Sequence, residues 1–405
     1  MAEQLALNGG RSVRERPMEL RAFVDQREYD LVKEVLDRGI LSEFRAGPMA
    51  RELEARFAAY HDCQFGVAVP SGTSALHLAV ASLGIGPGDE VIVPPFTYVS
   101  TATVVLQQYA VPVFADIDPI TFCVSPDSVE AAITPRTKAI IVVHLFGHPA
   151  DLVVLRDVAT RHGLALIEDC AQAHGARYCG QRVGAWGEVG CFSFYQSKNM
   201  TTGEGGMLVT NNEVLLRRAR LLKECGNPRD AASWYYHVEI GYNYQMSDLQ
   251  AAVGIAQLEK LEMMSVLRRR HAHLYAENLA GLGLALPQEV GEIEHVYHLY
   301  PILLPPGYAA QRDWFVQALK AENVLAGVTY PQSLHQNPLF VSIAEGGFPL
   351  LGPVEYSDEW LPVTLDVASR IVTLRTDPCL TEQDILDTCY AIEKVWTHMV
   401  AENEV

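Results

Sequence analysis

Of the lysines in this chain, Lys198 lies in the surroundings best suited to covalent chemistry. The chain of 405 residues contains seven lysines, and five lie in helical, charge-rich segments typical of solvated helix faces. Lys198 instead follows the aromatic, strand-like run Cys-Phe-Ser-Phe-Tyr at 191–195 and precedes a glycine-rich turn at 201–206. An amine in such a place can be partly desolvated, which lowers its pKa and exposes a nucleophile. A functional lysine is one hypothesis, and an ordinary surface lysine is the other.

A carboxylate and a possible anion-binding turn lie upstream. Asp169 ends an apolar run, and a buried carboxylate there needs a helix N–H, a metal or a cationic ring as its partner. His174 follows, but no second ligand lies at metal-binding spacing on that element, so no metal is predicted. The segment Pro-Ser-Gly-Thr-Ser-Ala at 70–75 could bind an anion at a helix N-terminus, or be an ordinary helix cap. A P-loop motif is missing, and so is a clear dinucleotide-binding GxGxxG.

In combination, these segments predict pyridoxal 5'-phosphate (PLP) as cofactor. PLP requires an amine for its Schiff base, an acid facing the pyridine nitrogen and a cup for its phosphate. Lys198, Asp169 and the turn at 71–73, with Ser193 ahead of the lysine, are groups of those kinds.

The motifs resemble those of the DegT/StrS group of sugar aminotransferases over residues 39–254, and more weakly to the C-terminus. The resemblance implies PLP fold type I, similar to aspartate aminotransferase: an α/β fold with a mostly parallel sheet in the large domain and a smaller C-terminal α+β domain. It implies Lys198 and Asp169 as catalytic residues, and a homodimer with shared active sites. The implied cofactor contacts are Gly72, Thr73, Tyr98, Asp169, Gln172, Ser193, Lys198 and, from the neighbouring subunit, Asn243.

Two segments bear on the substrates. Leu-Ala-Leu-Asn-Gly-Gly at 5–10 and Cys-Gly-Asn-Pro-Arg-Asp at 225–230 resemble glutamine-dependent inosose aminotransferases and aminohydroxybenzoate synthases. We therefore expect transfer of an amino group from L-glutamine or L-glutamate to a ketocyclitol of the scyllo-inosose type, or to a keto-sugar, in aminoglycoside or antibiotic biosynthesis. The alternatives are a nucleotide-linked keto-sugar aminotransferase, a PLP dehydratase similar to aminohydroxybenzoate synthase, and a non-catalytic PLP-binding regulator.

The chain departs from the family pattern at two places. Gln245 stands where members commonly carry arginine, and Leu374-Arg375 stands where a Leu-Pro pair is common. The deoxygenating members carry histidine at the lysine position, so Lys198 argues against that dehydration. The expected substrate contacts are Tyr297, His298, Tyr330, His335 and Arg375.

The elements that must position these residues follow from periodicity. Short β-rich runs at 91–94, 111–114, 139–143 and 165–167 alternate with helical segments, which predicts βαβ units and a mostly parallel sheet. Ligands of such sheets bind at the carboxyl ends of strands, where the motifs fall. After residue 245 the pattern becomes helical, and a long helix is predicted over 247–274. We predict an N-terminal arm (1–30), a large PLP-binding domain (31–275) and a small C-terminal domain (276–405).

Composition excludes several classes of protein. The formal net charge is −18, which disfavours binding to nucleic acid or to anionic membranes. None of the eight cysteines forms a CxxC pair, so mostly buried thiols are expected instead of disulfides or metal ligands. Since no apolar run approaches the roughly 18 residues of a membrane span, we expect a cytoplasmic enzyme.

Overall fold

The described residues form thirteen strands and thirteen α-helices, besides short 3-10 turns. The computed structural model describes residues 3–42, 47–229 and 235–403, so Asp230, in the predicted substrate-related segment, lies outside the described residues. The strands are β1 (Phe65–Val69), β2 (Glu90–Val93), β3 (Val111–Phe114), β4 (Thr137–Val143), β5 (Ala165–Asp169), β6 (Arg177–Tyr178), β7 (Gln181–Arg182), β8 (Val189–Ser193), β9 (Gly206–Thr210), β10 (Ile293–Glu294), β11 (Tyr300–Leu303), β12 (Ala326–Gly327) and β13 (Ile371–Leu374). The helices are α1 (Gln26–Arg38), α2 (Met49–Tyr60), α3 (Gly72–Ser82), α4 (Ser100–Gln107), α5 (Pro126–Ala132), α6 (Leu152–His162), α7 (Glu213–Lys223), α8 (Asp248–Glu259), α9 (Leu261–Leu279), α10 (Arg312–Ala321), α11 (Pro338–Ala344), α12 (Pro362–Arg370) and α13 (Glu382–Asn403).

The largest sheet has seven strands in the order β1-β9-β8-β5-β4-β2-β3. Neighbours from β8 to β3 pair in parallel, and β9 runs antiparallel to both of its neighbours. Strand side chains alternate between two cores: Ile140 and Val142 enter one, and Ala139 and Ile141 enter the other. Both faces of the sheet are therefore covered, as expected for parallel strands, and the predicted α/β fold with a mostly parallel sheet is confirmed.

The C-terminal part has its own sheet and core. Strands β11, β13 and β12 form an antiparallel sheet, and α9, α10 and α13 share an apolar cluster with it, which includes Tyr275, Phe315 and Trp396. The N-terminal segment also packs here, because Leu5 is fully buried in this cluster. The division at 275/276 falls within α9 and remains a prediction.

Two helix boundaries differ from the sequence pattern. Helix α1 begins at Gln26, inside the predicted arm, because Asp25 and Glu28 form a capping box at its start. The long helix predicted over 247–274 is two helices, α8 and α9, which break at Lys260. The ammonium of Lys260 lies 2.7 Å from a Glu28 carboxylate oxygen and 2.9 Å from one of Asp25. Among the described helices, none combines the length and apolarity that a membrane span requires.

Candidate active site

Asp169 lies at the carboxyl end of β5, a central strand, and is almost fully buried. One carboxylate oxygen accepts a hydrogen bond from the Thr101 hydroxyl (2.9 Å), and the other accepts one from the Ala171 amide (3.1 Å). Burial raises the pKa of Asp169, and these two hydrogen bonds and the charge of Lys198 oppose that effect. A desolvated carboxyl group with few partners is suited to face a cationic ring nitrogen.

Lys198 lies in the turn that follows β8. Its amide donates to the Tyr195 carbonyl (2.9 Å), and its side chain is half-buried. The pKa of the lysine is lowered to about 8, mainly by burial; the charge of Asp169 opposes this shift, and that of Arg375 acts in the same direction as burial. Much more of this amine is uncharged near neutral pH than of an exposed lysine, and the uncharged amine is the nucleophile.

The turn at the start of α3 forms a narrow cup against β8 and β9. A Cβ atom added at Gly72 would lie 2.6 Å from the Cβ atom of Ser193, and one added at Gly206 would lie 2.5 Å from the carbonyl carbon of Ser71. The backbone amides of Gly72 and Thr73, the first two of the helix, have no hydrogen-bond partner among the described residues. Two helix N-terminal amides beside the Ser193 hydroxyl form a site suited to phosphate.

Gln172 connects this end of the sheet to the C-terminal part of the chain. Its amide oxygen accepts from the Phe146 amide (2.8 Å), and its amide nitrogen donates to the Tyr330 hydroxyl (2.7 Å). The charge of Asp169 acts on the Tyr330 hydroxyl, whose pKa is raised mainly by burial. Tyr98 lies nearby with 62% of its surface exposed, so its ring is accessible to a ligand.

Two of the expected substrate residues approach Lys198. The ring of His298 is buried, and its Nδ1 donates to the Oδ1 atom of Asn199, the residue after the lysine (3.0 Å). This burial makes His298 a supporting residue beside the lysine and not the wall of an open pocket. Arg375 forms a two-point ion pair with Asp377 (2.7 and 2.9 Å), and its charge acts on Lys198.

For Tyr297, His335 and Asn243, no hydrogen bond to Lys198 is found among the described residues. The Tyr297 hydroxyl donates to Glu289, and its ring stacks on His295 with centroids 3.8 Å apart. His335 is held between Ser333 and Asp358, with 2.7 Å to each. Asn243 forms an isolated β-bridge with Glu224, and its side chain is exposed. Among the described residues, no hydrogen bond joins this side chain to the expected cofactor contacts.

Sequence reasoning missed a buried anchor behind Asp169. The carboxylate of Glu168 accepts from His144 Nε2 (3.0 Å) and from the amides of Gly184, Trp186 and Gly187 (2.7 to 2.8 Å). Adjacent strand residues point to opposite faces, so Glu168 fixes the strand end from the far side while Asp169 faces the site. Strand alternation could have placed Glu168 there, but no local signal identifies His144 as its partner.

The same anchor contains the one group of potential metal ligands found among the described residues. Single ligand atoms of His144, Glu168 and Cys170 lie within 4.8 Å of one another. The carboxylate oxygens are already used by four hydrogen bonds, and the pKa of the Cys170 thiol is raised well above its usual range by burial. A protonated thiol is a poor metal ligand, so we interpret the group as structural.

The arrangement fits PLP. A cup that is closed to any added Cβ atom would hold the phosphate, Asp169 would face the ring nitrogen, and Lys198 has the lowered pKa that an attacking amine requires. Thr101, which donates to Asp169, and Asn199, which follows Lys198, also belong to the site, although no sequence pattern indicated either.

Comparisons with known proteins agree with the geometry. Residues 23–393 match the model of the DegT/DnrJ/EryC1/StrS aminotransferase family. The chain is 42% identical to a UDP-N-acetyl-3-dehydro-alpha-D-glucosamine 3-aminotransferase of Acidithiobacillus ferrooxidans, over 85% of this chain and 88% of the relative. It is 39% identical to an L-glutamine:2-deoxy-scyllo-inosose aminotransferase of Streptomyces kanamyceticus, over 98% of each. Its fold is similar to that of a solved 3-amino-5-hydroxybenzoic acid synthase (29% identity, TM-score 0.87, 95% of this chain and 100% of that one). The chain therefore belongs to the DegT/DnrJ/EryC1/StrS family of PLP-dependent aminotransferases.

Proposed function

We propose that this aminotransferase moves an amino group from L-glutamine or L-glutamate to a ketocyclitol of the scyllo-inosose type. The observation that carries the proposal is the 39% identity with the S. kanamyceticus enzyme over 98% of both chains. That match extends over nearly the whole N-terminal segment, which is part of the fold: the Ala6 amide donates to the Glu322 carboxylate (2.9 Å). The length of this likeness supports a ketocyclitol acceptor.

The residues of the site divide the work of this reaction. PLP, when bound, supplies an aldehyde that exchanges with amines and a ring that accepts electrons from the substrate's α-carbon. Lys198 would hold the aldehyde, and its amine, when free, would move a proton at the donor's α-carbon. Asp169 would keep the proton on the ring nitrogen. Gly72, Thr73 and Ser193 fix the phosphate, so that the reacting atoms remain within reach of the lysine.

Arg375 is the proposed contact for the donor's α-carboxylate. Its guanidinium is held by Asp377, which also lies 3.5 Å from Arg268, so two cations share one carboxylate. One positive charge therefore remains within electrostatic range of Lys198. Such a charge would attract a carboxylate and orient the donor's amine towards the lysine.

The proposed active unit is a homodimer in which Asn243 contacts the phosphate in the partner's site. Asn243 is exposed, and an exposed apolar run precedes it, in which Tyr236, Val238 and Ile240 keep 54%, 53% and 87% of their surface. A second copy of the chain would cover these side chains and bring Asn243 to its site.

A nucleotide-linked keto-sugar is the second candidate acceptor. It is favoured by the 42% identity with the A. ferrooxidans enzyme, whose name specifies a UDP-linked 3-keto sugar. The match to this enzyme covers a smaller share of both chains than the match to the S. kanamyceticus enzyme does.

Absorption spectra test the donor and acceptor separately. L-glutamine is added to the purified holoenzyme without acceptor, and conversion of the cofactor's yellow band to the pyridoxamine band would establish the donor half-reaction. The aminated enzyme is then split between 2-deoxy-scyllo-inosose, scyllo-inosose and a UDP-linked 3-keto sugar. Return of the yellow band with an inosose supports the proposal. Return only with the UDP-linked sugar would replace it by the second candidate, and formation of an aromatic product without amino exchange would indicate a dehydratase.

A further inference from the structure

The turn that carries Lys198 is tied to the C-terminal part of the chain by one side chain. Asn199 is 2% exposed, and its Oδ1 atom accepts from Nδ1 of His298 (3.0 Å). Its amide nitrogen points to the Val296 carbonyl, at 3.5 Å. Apart from these two contacts of Asn199 and the backbone bond from Lys198 to Tyr195, no hydrogen bond of residues 196–199 is found among the described residues.

The contact continues from His298 to the charged group at Arg375. The His298 carbonyl accepts from Nη1 of Arg268 (3.2 Å), a fully buried residue of α9. The same Arg268 nitrogen donates to the Thr376 hydroxyl (3.1 Å), and its other terminal nitrogen lies 3.5 Å from Asp377. Since Asp377 holds Arg375, a buried polar chain runs from the lysine turn to the cation proposed to bind the donor.

The His298 ring is fixed in one neutral form. Because the Asn199 oxygen can only accept, Nδ1 of His298 must carry the proton. Burial lowers the pKa of His298 well below its usual value, and the charges of Lys198, Arg268 and Arg375 act in the same direction. A neutral donor beside the lysine holds the turn without adding positive charge.

We propose that His298 is a positioning residue for Lys198: through Asn199 it holds the lysine turn at a fixed distance from the Arg375 cation. The proposal rests on the assignment of Lys198 as the cofactor-binding lysine. It predicts that loss of the His298 donor loosens the turn and lets water reach the amine. The amine then becomes easier to protonate, although the charged groups near it (Asp169 and Arg375) and the neutral ring of His174 are unchanged.

The test measures how PLP loads onto the apoenzyme as a function of pH. Loading follows the uncharged Lys198 amine, so its rate has a midpoint at the pKa of that lysine, and transamination is not needed. His298→Leu removes the donor, whereas His298→Asn replaces Nδ1 by an amide nitrogen at a similar place. His148 is the matched control: it is also buried, and its Nδ1 bonds to the Pro149 carbonyl (2.6 Å).

We expect His298→Leu to raise the midpoint above about 8 and to slow loading at neutral pH by about 10-fold or more. His298→Asn should restore most of the wild-type midpoint, and His148→Leu should lower thermal stability alone. An unchanged midpoint in a folded His298→Leu protein would overturn the proposal. If that variant does not fold, Asn199→Ala removes the other end of the same bond, and a wild-type midpoint there is equally decisive. Failure of the lysine assignment is distinguishable, because Lys198→Ala would then still form the yellow band.

Discussion

At the scale of residues, the candidate site contains two groups whose pKa values are shifted towards each other. Burial raises the pKa of Asp169 and lowers that of Lys198, and each group's charge reduces the shift of the other. Arg375 adds a positive charge that acts against protonation of the lysine. The lysine amine is thus available near neutral pH, while a carboxylate remains close enough to hold a proton on a cationic ring.

Removing the positive or the negative charge near Lys198 should shift the pKa of the lysine in opposite directions. Without its Arg375 neighbour (Arg375→Leu), the lysine is easier to protonate, so the midpoint of PLP loading should rise above about 8. Asp169→Asn removes a negative charge that favours the ammonium form, so the midpoint should fall. The rate of PLP loading onto apoenzyme between pH 6 and about 10 measures both. Shifts of the same sign would show that altered packing, and not charge, controls the lysine.

The same Asp169→Asn variant should retain PLP but slow the donor half-reaction by about 100-fold or more, because the ring nitrogen loses its counter-ion. The measurement is the single-turnover rate of the absorbance change after L-glutamine or L-glutamate is added. The exposed Asp157, which pairs with Arg161 on α6, gives a control variant, Asp157→Asn, that should react at the wild-type rate. Wild-type turnover by Asp169→Asn would mean that another acid faces the ring.

At the scale of elements, the strand ends place these residues. Strand β5 turns Asp169 towards the site and Glu168 to the opposite face, where four donors hold it. The anchor joins the end of β5 to His144, after β4, and to the loop ahead of β8. The position of Asp169 thus depends on a carboxylate that has no role in the proposed chemistry.

Glu168→Gln should therefore destabilise the protein although it changes no atom of the proposed site. An amide cannot accept four hydrogen bonds as a carboxylate does, and we expect the free energy of unfolding to fall by about 3 kcal/mol. Urea denaturation of the apoenzyme measures the loss. Glu213→Gln, at an exposed position, should change the value by less than about 0.5 kcal/mol. Equal small effects in both variants would show that the anchor is not structural.

The phosphate cup gives a prediction about the start of α3. Gly72→Ala would place a methyl group 2.6 Å from the Ser193 Cβ atom, so the cup must open, and affinity for PLP should fall about 10-fold or more. Gly86→Ala, shortly after the same helix, has only one atom at 4.0 Å and should bind PLP normally. Fluorescence titration of the apoenzymes with PLP compares them. Unchanged affinity in Gly72→Ala would place the phosphate elsewhere.

Local signals located four strands of the large sheet, and they placed Asp169 at a strand end and Lys198 in a turn after a strand. The partners of these residues could not be predicted in the same way. His298 reaches Asn199 across 99 positions of sequence, and Lys260 breaks the predicted long helix to meet Glu28 near the N-terminus. Such contacts depend on how distant elements pack, and the periodicity of apolar residues carries no information about that packing.

At the scale of the whole molecule, Asn243 has no described hydrogen bond to the cofactor residues of its own chain. That side chain is exposed, beside the exposed apolar residues at 236–240. If a second copy covers this surface, each active site would contain Lys198 and Asp169 of one chain and Asn243 of the other. A dimer with Lys198 substituted in one chain and Asn243 substituted in the other would then still contain one complete site.

Co-expression of two inactive variants tests this arrangement. In a Lys198→Ala chain paired with an Asn243→Ala chain, one of the two sites has both residues intact. Random pairing makes half of the dimers mixed, so activity should recover to about a quarter of the wild-type value. The control pairs Lys198→Ala with Asp169→Asn: both residues belong to the same chain's site, so every site in the mixed dimer keeps one defect and no recovery is expected. Ile240→Asp should weaken the dimer, seen by sedimentation, and lower PLP occupancy with it. Recovery in the control, or none in the first pair when Asn243→Ala alone is inactive, would show that the sites are not shared in this way.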